Sequence, residues 1–301
     1  MKLSERFYPS LLASECFYPY LDREEILLDA VEKILDEGYY RRLETGTLHS
    51  KRLRSRLADI VGRYGVGFTQ WITSDLSAPG LNPSAADREV RRKTTDKIKK
   101  LVDMAAESGA DRIAMVSGPD PGEKFREEAS EGLEEVLQSV LEQVEKYPGM
   151  KLLLEPLDRG AHKNRLIGPS DEAVRLVSLA DMGRNECLLS WDSAHAALNG
   201  ERLKESLCTS ASYLGHIHLA NAVLNPELDG YGDWHMQMGE PGFLDVSCGA
   251  GILADAAAVL PGEEMYGVSV ECRCPADTNP FINERDCRTF LKQVLDRDVN
   301  V

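Results

Sequence analysis

Residues 151–156 read Lys-Leu-Leu-Leu-Glu-Pro, an apolar run that ends on an acid, Glu155. Three later stretches have the same form, an apolar run that ends on a group able to bind a metal: Leu-Leu-Ser-Trp-Asp192, Gly-His216-Ile-His218 and Val-Ser-Val-Glu271. Short continuous apolar runs are typical of strands buried in a parallel sheet. Because buried acids without a cation or partner are costly, these four strand ends predict one shared site.

Strand and helix patterns alternate through the whole chain. Apolar runs predict eight strands, near Phe7–Ala13, Tyr40–Thr45, Gly67–Thr73, Arg112–Ser117, Lys151–Pro156, Cys187–Asp192, Leu214–Ala220 and Gly267–Glu271. Helical spacing predicts eight helices, over Asp22–Gly38, Ser50–Tyr64, Ser84–Gly109, Gly122–Tyr147, Ser170–Ala180, Glu201–Ser210, Val246–Leu260 and Glu284–Asp296. The alternation predicts an α/β fold, a (β/α)8 TIM barrel in a single domain spanning residues 1–301. A doubly wound sheet fits less well, because no glycine-rich phosphate loop follows the first strand.

Strand carboxyl ends meet at one mouth of such a barrel, so candidate ligands from the fifth to eighth strands would be neighbours. Two connections, Ser74–Pro83 and Asn221–Asp245, are longer than the barrel needs. Long loops at the catalytic face commonly cover the substrate, and we expect that here.

Composition narrows the class of protein. The net charge of −15 disfavours nucleic acid as a partner, because a polyanion would be repelled. The seven cysteines include no Cys-x-x-Cys pair, which indicates reduced thiols in a cytoplasmic protein. No apolar run is long enough to span a membrane, and the N-terminal residues lack the pattern of a signal peptide.

Five motifs follow one another in the second half of the chain: Glu155-Pro-Leu-Asp-Arg159, Asp192-Ser-Ala-His195, Gly215-His216-Ile-His218, a Pro-Gly pair at 241–242, and Val-Glu271. Together they resemble the sugar isomerase/epimerase superfamily related to xylose isomerase, which includes ketose 3-epimerases and hydroxypyruvate isomerases. The resemblance implies that Glu155, Asp192, His218 and Glu271 bind one divalent metal. It also implies that Glu155 and Glu271 are an acid/base pair, and that His195 and Arg159 hold substrate hydroxyls or the oxyanion.

The chemistry of these side chains favours the same function. Removing a proton beside a carbonyl produces an enediolate, which a metal stabilises while carboxylates take and return the proton. Three carboxylates and one imidazole favour Mn²⁺, with Mg²⁺ or Co²⁺ as alternatives, over zinc. We therefore expect a small-molecule sugar as substrate, and an uncharged one, because no clear phosphate cradle follows the seventh or eighth strand.

Four further residues are candidates for substrate binding. His216 shares a strand face with His218, where it is either a pocket residue or a filler of the adjacent layer. His235 is a substrate contact, a second metal ligand or an exposed loop residue. Glu44, at the second strand end, either binds a hydroxyl or pairs with a neighbouring arginine. Arg273 is a substitute for the arginine that ketose 3-epimerases usually carry after the seventh-strand histidine and that this chain lacks.

Three other functions remain as alternatives. A metal-dependent lyase or dehydratase would use the same residues on a keto sugar or cyclitol, as in inosose dehydratases and C-glycoside-cleaving subunits. Endonuclease IV shares several of the motifs, but it needs histidine ligands where this chain has Gln70, Trp71, Ser117 and Gly118. A non-catalytic sugar-binding protein would lack ligands, and none is missing. A homo-oligomer is left open.

Overall fold

The computed structural model describes residues 1–262 and 264–299. Eight parallel strands close into a barrel in chain order, as the alternation predicts. The strands are β1 Phe7–Leu12, β2 Arg42–Gly46, β3 Gly67–Trp71, β4 Arg112–Val116, β5 Lys151–Glu155, β6 Cys187–Asp192, β7 Leu214–Ala220 and β8 Tyr266–Glu271. The closing pair is β1 with β8, where Phe7 lies opposite Tyr266. The predicted (β/α)8 barrel is confirmed.

Helices surround this barrel. They are α1 Ala13–Cys16, α2 Glu24–Leu35, α3 Lys51–Tyr64, α4 Thr73–Leu76, α5 Arg88–Glu107, α6 Arg126–Val144, α7 Ser170–Asp181, α8 Ser193–Leu198, α9 Leu203–Ser210, α10 Val246–Val259 and α11 Pro280–Leu295. Their apolar stripes pack on the outer face of the strands in one continuous core. Within residues 1–262 and 264–299, no helix combines the length and the apolar character that crossing a bilayer requires.

Two helix starts differ from the predicted ones because of their caps. Asp87, rather than Ser84, caps α5, and its Oδ1 accepts a hydrogen bond of 2.7 Å from the backbone of Glu89. Asn279 caps α11 ahead of Pro280, so this helix begins four residues before the predicted Glu284. A proline at the first helical position loses no hydrogen bond, which explains the earlier start.

The interior of the barrel is polar beneath its mouth. Glu44 on β2 contacts His216 and His218 on β7, at 2.9 and 3.2 Å. These strands are three places apart in the ring, so the contacts cross the lumen. The hydroxyl of Ser10 donates a hydrogen bond of 2.7 Å to Glu44. The hydroxyl of Ser269 lies 3.0 Å from Nε2 of His216, the nitrogen that also contacts Glu44. Hydrogen bonds therefore hold this layer together, where many barrels use branched apolar side chains.

The opposite end of the barrel holds a buried guanidinium. Arg42 forms two parallel hydrogen bonds to Asp111, of 2.6 and 2.7 Å, and a third to Thr69 at 3.1 Å. A Cβ on Gly67 would stand 2.5 Å from Nη2 of Arg42, so only glycine leaves room for this side chain. Burial opposes ionisation of Asp111, but the hydrogen bonds and charge of Arg42 outweigh it and hold the pKa of Asp111 below its usual range.

Candidate metal centre and cavity

The four predicted ligands meet at the mouth of the barrel. Glu155, Asp192 and Glu271 end β5, β6 and β8, and His218 lies near the end of β7. Each offers one ligand atom, and these four atoms lie within 4.8 Å of one another. Nδ1 of His218 is 3.0 Å from a carboxylate oxygen of Glu155 and 3.0 Å from one of Glu271. The sequence places these side chains together because consecutive parallel strands end at the same rim.

This cluster fits a divalent cation. All four residues are buried, and Oδ2 of Asp192 has no hydrogen-bond partner among the described residues. Burial raises the pKa of Asp192 to about 7, and the charges of Glu271 and Glu155 add to the effect against the opposing charge of His195. Three buried carboxylates with one imidazole are a donor set that Mn²⁺ and Mg²⁺ accept. A cation would add positive charge beside these three carboxylates.

Glu44 fixes the orientation of the His218 ring. Its carboxylate accepts from Nε2 of His218 at 3.2 Å and from Nε1 of Trp71 at 3.0 Å. Burial raises the pKa of Glu44, but the charges of His216 and His218 outweigh burial and hold it well below the usual range. When a cation takes the place of the proton on Nδ1, the contact with Glu44 would keep the remaining proton on Nε2, which is the tautomer that a metal ligand needs.

Three of the predicted substrate-binding residues do not line the cavity. Glu44 and His216 are fully buried in the layer beneath His218, so they support the site without reaching a substrate. Arg159 turns outward, because its Nη1 pairs with Glu172 at 2.9 Å and its Nη2 with the carbonyl of Leu166. The structure therefore places His216 in the adjacent layer, the second of its two alternatives, and it pairs Glu44 with two histidines rather than with a neighbouring arginine.

His195 lines the cavity, as its position just past β6 predicts. Its Nδ1 lies 3.4 Å from Asp158 and its Nε2 lies 3.6 Å from Asp233. Burial lowers the pKa of His195, but the charges of Asp192, Asp158 and Asp233 outweigh burial and raise it to about 9. Asp158 in turn accepts a hydrogen bond of 3.0 Å from the backbone of Lys163. The ring is therefore held from both sides.

His235 reaches the same cavity from the loop between β7 and α10. Its Nδ1 lies 3.0 Å from Glu15 and 3.2 Å from Glu271, and its Nε2 lies 3.3 Å from Asp233. Its backbone is left-handed, with φ of 52°, a conformation that non-glycine residues adopt mainly under local constraint. The ammonium group of Lys163 lies 3.0 Å from Nε2 of His235, so this ring contacts a cation as well as three acids.

Asn221 holds the long loop of residues 221–245 in place over the site. Its side-chain amide donates to the carbonyls of Gln237 and Gly239 at 2.8 and 2.7 Å. Its Oδ1 accepts from the backbone of Leu244 at 2.8 Å. Asn221 itself is fully buried, so the loop is fastened from within.

The cavity has a volume of about 350 Å³ and is lined by side chains at or just past the carboxyl ends of all eight strands. Sequence reasoning missed three of its polar residues, Glu15, Lys163 and Arg165. Glu15 follows the apolar end of β1 and could have been found by the argument that identified Glu155. Lys163 and Arg165 lie in the irregular segment after β5. Without a helical or strand period there, the spacing of residues does not indicate which way a side chain points. Arg273 lines the cavity as predicted, and it forms hydrogen bonds of 2.8 and 3.1 Å to Glu15.

Several solved structures have the same fold. An L-ribulose 3-epimerase is 14% identical, with a TM-score of 0.72 over 96% of this chain and 94% of that one. A D-psicose 3-epimerase from Clostridium cellulolyticum H10 is 17% identical, with a TM-score of 0.67 over 97% of this chain and 100% of that one. The IOLI protein, described with a bound zinc atom, is 16% identical, with a TM-score of 0.67 over 88% and 92%. No curated protein matches the chain in sequence.

A family assignment follows from the sequence profile of the xylose isomerase-like TIM barrel, which matches residues 28–258. This match covers most of the barrel, including three of the four clustered residues and the loop that carries His235. The protein belongs to the xylose isomerase-like TIM barrel family. The resemblance seen in the motifs is thereby confirmed at the level of the family.

Proposed function

We propose that this protein is a divalent-metal-dependent sugar isomerase or epimerase that removes a proton beside a carbonyl group. The observation that supports it is the cluster of Glu155, Asp192, His218 and Glu271, whose ligand atoms lie within 4.8 Å of one another at the end of a cavity of sugar size. The L-ribulose 3-epimerase and the D-psicose 3-epimerase described above share the architecture, which makes this chemistry a natural candidate.

Glu155 and Glu271 would carry the proton transfers. They end β5 and β8, on either side of β7, and each has an oxygen 3.0 Å from Nδ1 of His218. In the proposed reaction these two carboxylates meet opposite faces of the substrate carbon. One takes a proton from the carbon and leaves an enediolate, and the other returns a proton to the opposite face or to the neighbouring carbon. A divalent cation bound by the cluster, with Mn²⁺ expected and Mg²⁺ or Co²⁺ as alternatives, supplies positive charge beside the developing negative charge.

Other residues would position the sugar. His195 and Lys163 present nitrogen donors at the cavity wall, and Trp71 offers an apolar face next to the cluster. Trp71 is fixed by its hydrogen bond of 3.0 Å to Glu44, so this face is preorganised. Arg273 is held by Glu15 and orders the adjacent wall.

Hydrogen exchange in D₂O tests the proposal. The Mn²⁺-loaded protein is incubated with D-tagatose, D-psicose or L-ribulose, and deuterium uptake and epimer formation are followed by NMR. We expect Glu155→Gln and Glu271→Gln each to lower the exchange rate about 10²–10⁴-fold, the usual share of acid/base catalysis. Glu205→Gln, on the exposed side of α9, is the control and should exchange like the wild type.

Exchange at the wild-type rate in both site variants would end the proposal. Loss of water or of an aglycone from a keto sugar or cyclitol, without exchanged ketose, would instead support elimination by the same residues.

A further inference from the structure

Arg165 is a cavity residue with an uncompensated charge. It lies in the loop after β5 and lines the cavity together with Thr73, Ser74 and Val116. Its guanidinium makes one long hydrogen bond, from Nη1 to the carbonyl of Ser117 at 3.5 Å, and its Nε is buried without a partner. No carboxylate of residues 1–262 or 264–299 acts on its ionisation, and burial alone shifts its pKa downward.

The other cations of the cavity wall are already paired. Lys163 lies 3.1 Å from Asp233, and Arg273 forms two hydrogen bonds to Glu15. In a chain with a net charge of −15, a half-buried guanidinium without an acid nearby is unusual. This contrast indicates that Arg165 is available to an anion that enters the cavity.

The backbone holds Arg165 firmly at this position. Its N–H donates to the carbonyl of Asp158 at 3.2 Å, and a bridge joins it to Pro119 in the loop after β4. The next residue, Leu166, donates to Gly118 at 3.0 Å. The side chain therefore projects from a backbone that is tied to the ends of β4 and β5 before a ligand binds.

Arg165 approaches the cavity from the side of β3 and β4, where Thr73 and Val116 lie beside it. Its guanidinium contacts the carbonyl of Ser117 rather than any of the four clustered residues. A substrate whose carbonyl lies at the cluster would extend its far end toward β4. The group that meets Arg165 is therefore at the end of the substrate remote from the reacting carbon.

We propose that Arg165 binds a carboxylate at this remote end, so that the substrate is a keto acid derived from a sugar. The inference rests on the proposed function, which places the carbonyl at the cluster, and it replaces the uncharged sugar expected from the sequence. A single guanidinium balances the one charge of a carboxylate, whereas a phosphate dianion would call for further unpaired donors. Lys163 and Arg273, which also line the cavity, are already engaged by acids.

Matched ligands test this assignment. Binding of D-fructose, D-fructuronate and D-fructose 6-phosphate to the Mn²⁺-loaded protein is measured by calorimetry, and D-tagatose and D-tagaturonate form a second pair. We expect the wild type to bind at least one keto-uronate about tenfold more tightly than its neutral ketose, the usual gain from a charge-assisted pair. Arg165→Gln should abolish this preference, and Arg165→Lys should keep part of it.

Arg202→Gln is the control for net charge, because Arg202 is exposed in another loop, and it should keep the full preference. The assignment would be overturned if the wild type bound the acid and the neutral sugar equally in both pairs. It would also be overturned if Arg165→Gln kept the preference for the keto-uronate, or if the wild type preferred the sugar phosphate. Thermal unfolding of each variant checks that it is folded. Failure of this assignment is separable from failure of the proposed function. The proposed function is tested by deuterium exchange on neutral ketoses, which carry no carboxylate, and uronate binding is measured without turnover.

Discussion

Oε2 of Glu44 lies 3.2 Å from Nε2 of His218, although the two residues are 174 positions apart in the chain. This contact crosses the barrel lumen and sets which nitrogen of His218 faces the carboxylate cluster. We expect Glu44→Gln to weaken cation binding by roughly 10–100-fold, the usual cost of losing a partner behind a ligand. Competition with a chromogenic chelator measures the change.

Glu284→Gln is the matched control for this prediction. Glu284 is also a fully buried glutamate, and it accepts a hydrogen bond of 2.8 Å from Tyr40 far from the cluster. Its replacement should lower stability and leave cation affinity unchanged. Equal cation affinity in Glu44→Gln and the wild type would contradict the role assigned to Glu44.

Removal of the cation should destabilise the protein. The carboxylates of Glu155, Asp192 and Glu271 are buried within 4.8 Å of one another and of His218, so their mutual repulsion is relieved when a cation binds. A cation at a hundred times its dissociation constant should add about 2.7 kcal/mol to the free energy of unfolding. Urea unfolding after dialysis against a chelator, with and without added Mn²⁺, measures it. Unfolding curves that coincide with and without Mn²⁺ would argue against a cation site. Asp192→Asn should reduce the free energy of unfolding that Mn²⁺ adds.

The ion pair of Arg42 and Asp111 should contribute stability that depends on pH. The pKa of Asp111 is lowered on folding, so the contribution is complete above its unfolded value of about 4 and is lost as pH falls through the folded value. Asp111→Asn should lower the free energy of unfolding by about 2 kcal/mol at pH 7, a value reduced from that of a buried pair because Asp111 is half-exposed.

Urea unfolding of wild type and Asp111→Asn between pH 7 and pH 3 checks this prediction. The difference between the two proteins should shrink below about pH 4, where Asp111 of the unfolded chain takes up a proton that the folded protein does not yet bind. A difference that stays constant across this range would show that the carboxylate charge is not the source.

Asn221→Ala should release the loop of residues 221–245. The substitution removes three hydrogen bonds to the loop backbone, worth about 2–3 kcal/mol together. We expect faster proteolytic cleavage within the loop and a lower unfolding temperature. Asn225→Ala is the control in the same loop, since Asn225 is exposed and accepts one local hydrogen bond. Equal cleavage rates in the two variants would contradict the anchoring role.

The strand ends of this chain could be predicted from two things: the apolar runs that precede them, and the rule that parallel strands of a barrel end at one rim. The apolar runs before Glu155, Asp192 and Glu271 mark buried strands, and the closure of the barrel brings their ends together. Arg159 shows where this reasoning stops. Its motif placed it near the site, but the path of the loop after β5 turns its guanidinium toward Glu172, and no spacing in the sequence specifies that turn.

The partners of the ligands were also beyond sequence reasoning. The sequence predicts Glu44 at the end of the second strand. Its contact with His218 depends on how β2 and β7 face each other across the lumen, which the sequence does not specify. Glu15 and His235 meet although they lie 220 positions apart, on a short helix and in a long loop. Such pairings follow from the complete tertiary structure.

The hydrogen-bonded interior beneath the mouth has a consequence for engineering. Glu44, His216 and Ser269 each contact a polar partner on another strand. Replacing one of them at random would usually leave a buried donor or acceptor without a hydrogen bond. Libraries for directed evolution of altered selectivity should therefore spare the inner wall and diversify the loops after β4, β5 and β7, where new side chains can be accommodated at the rim.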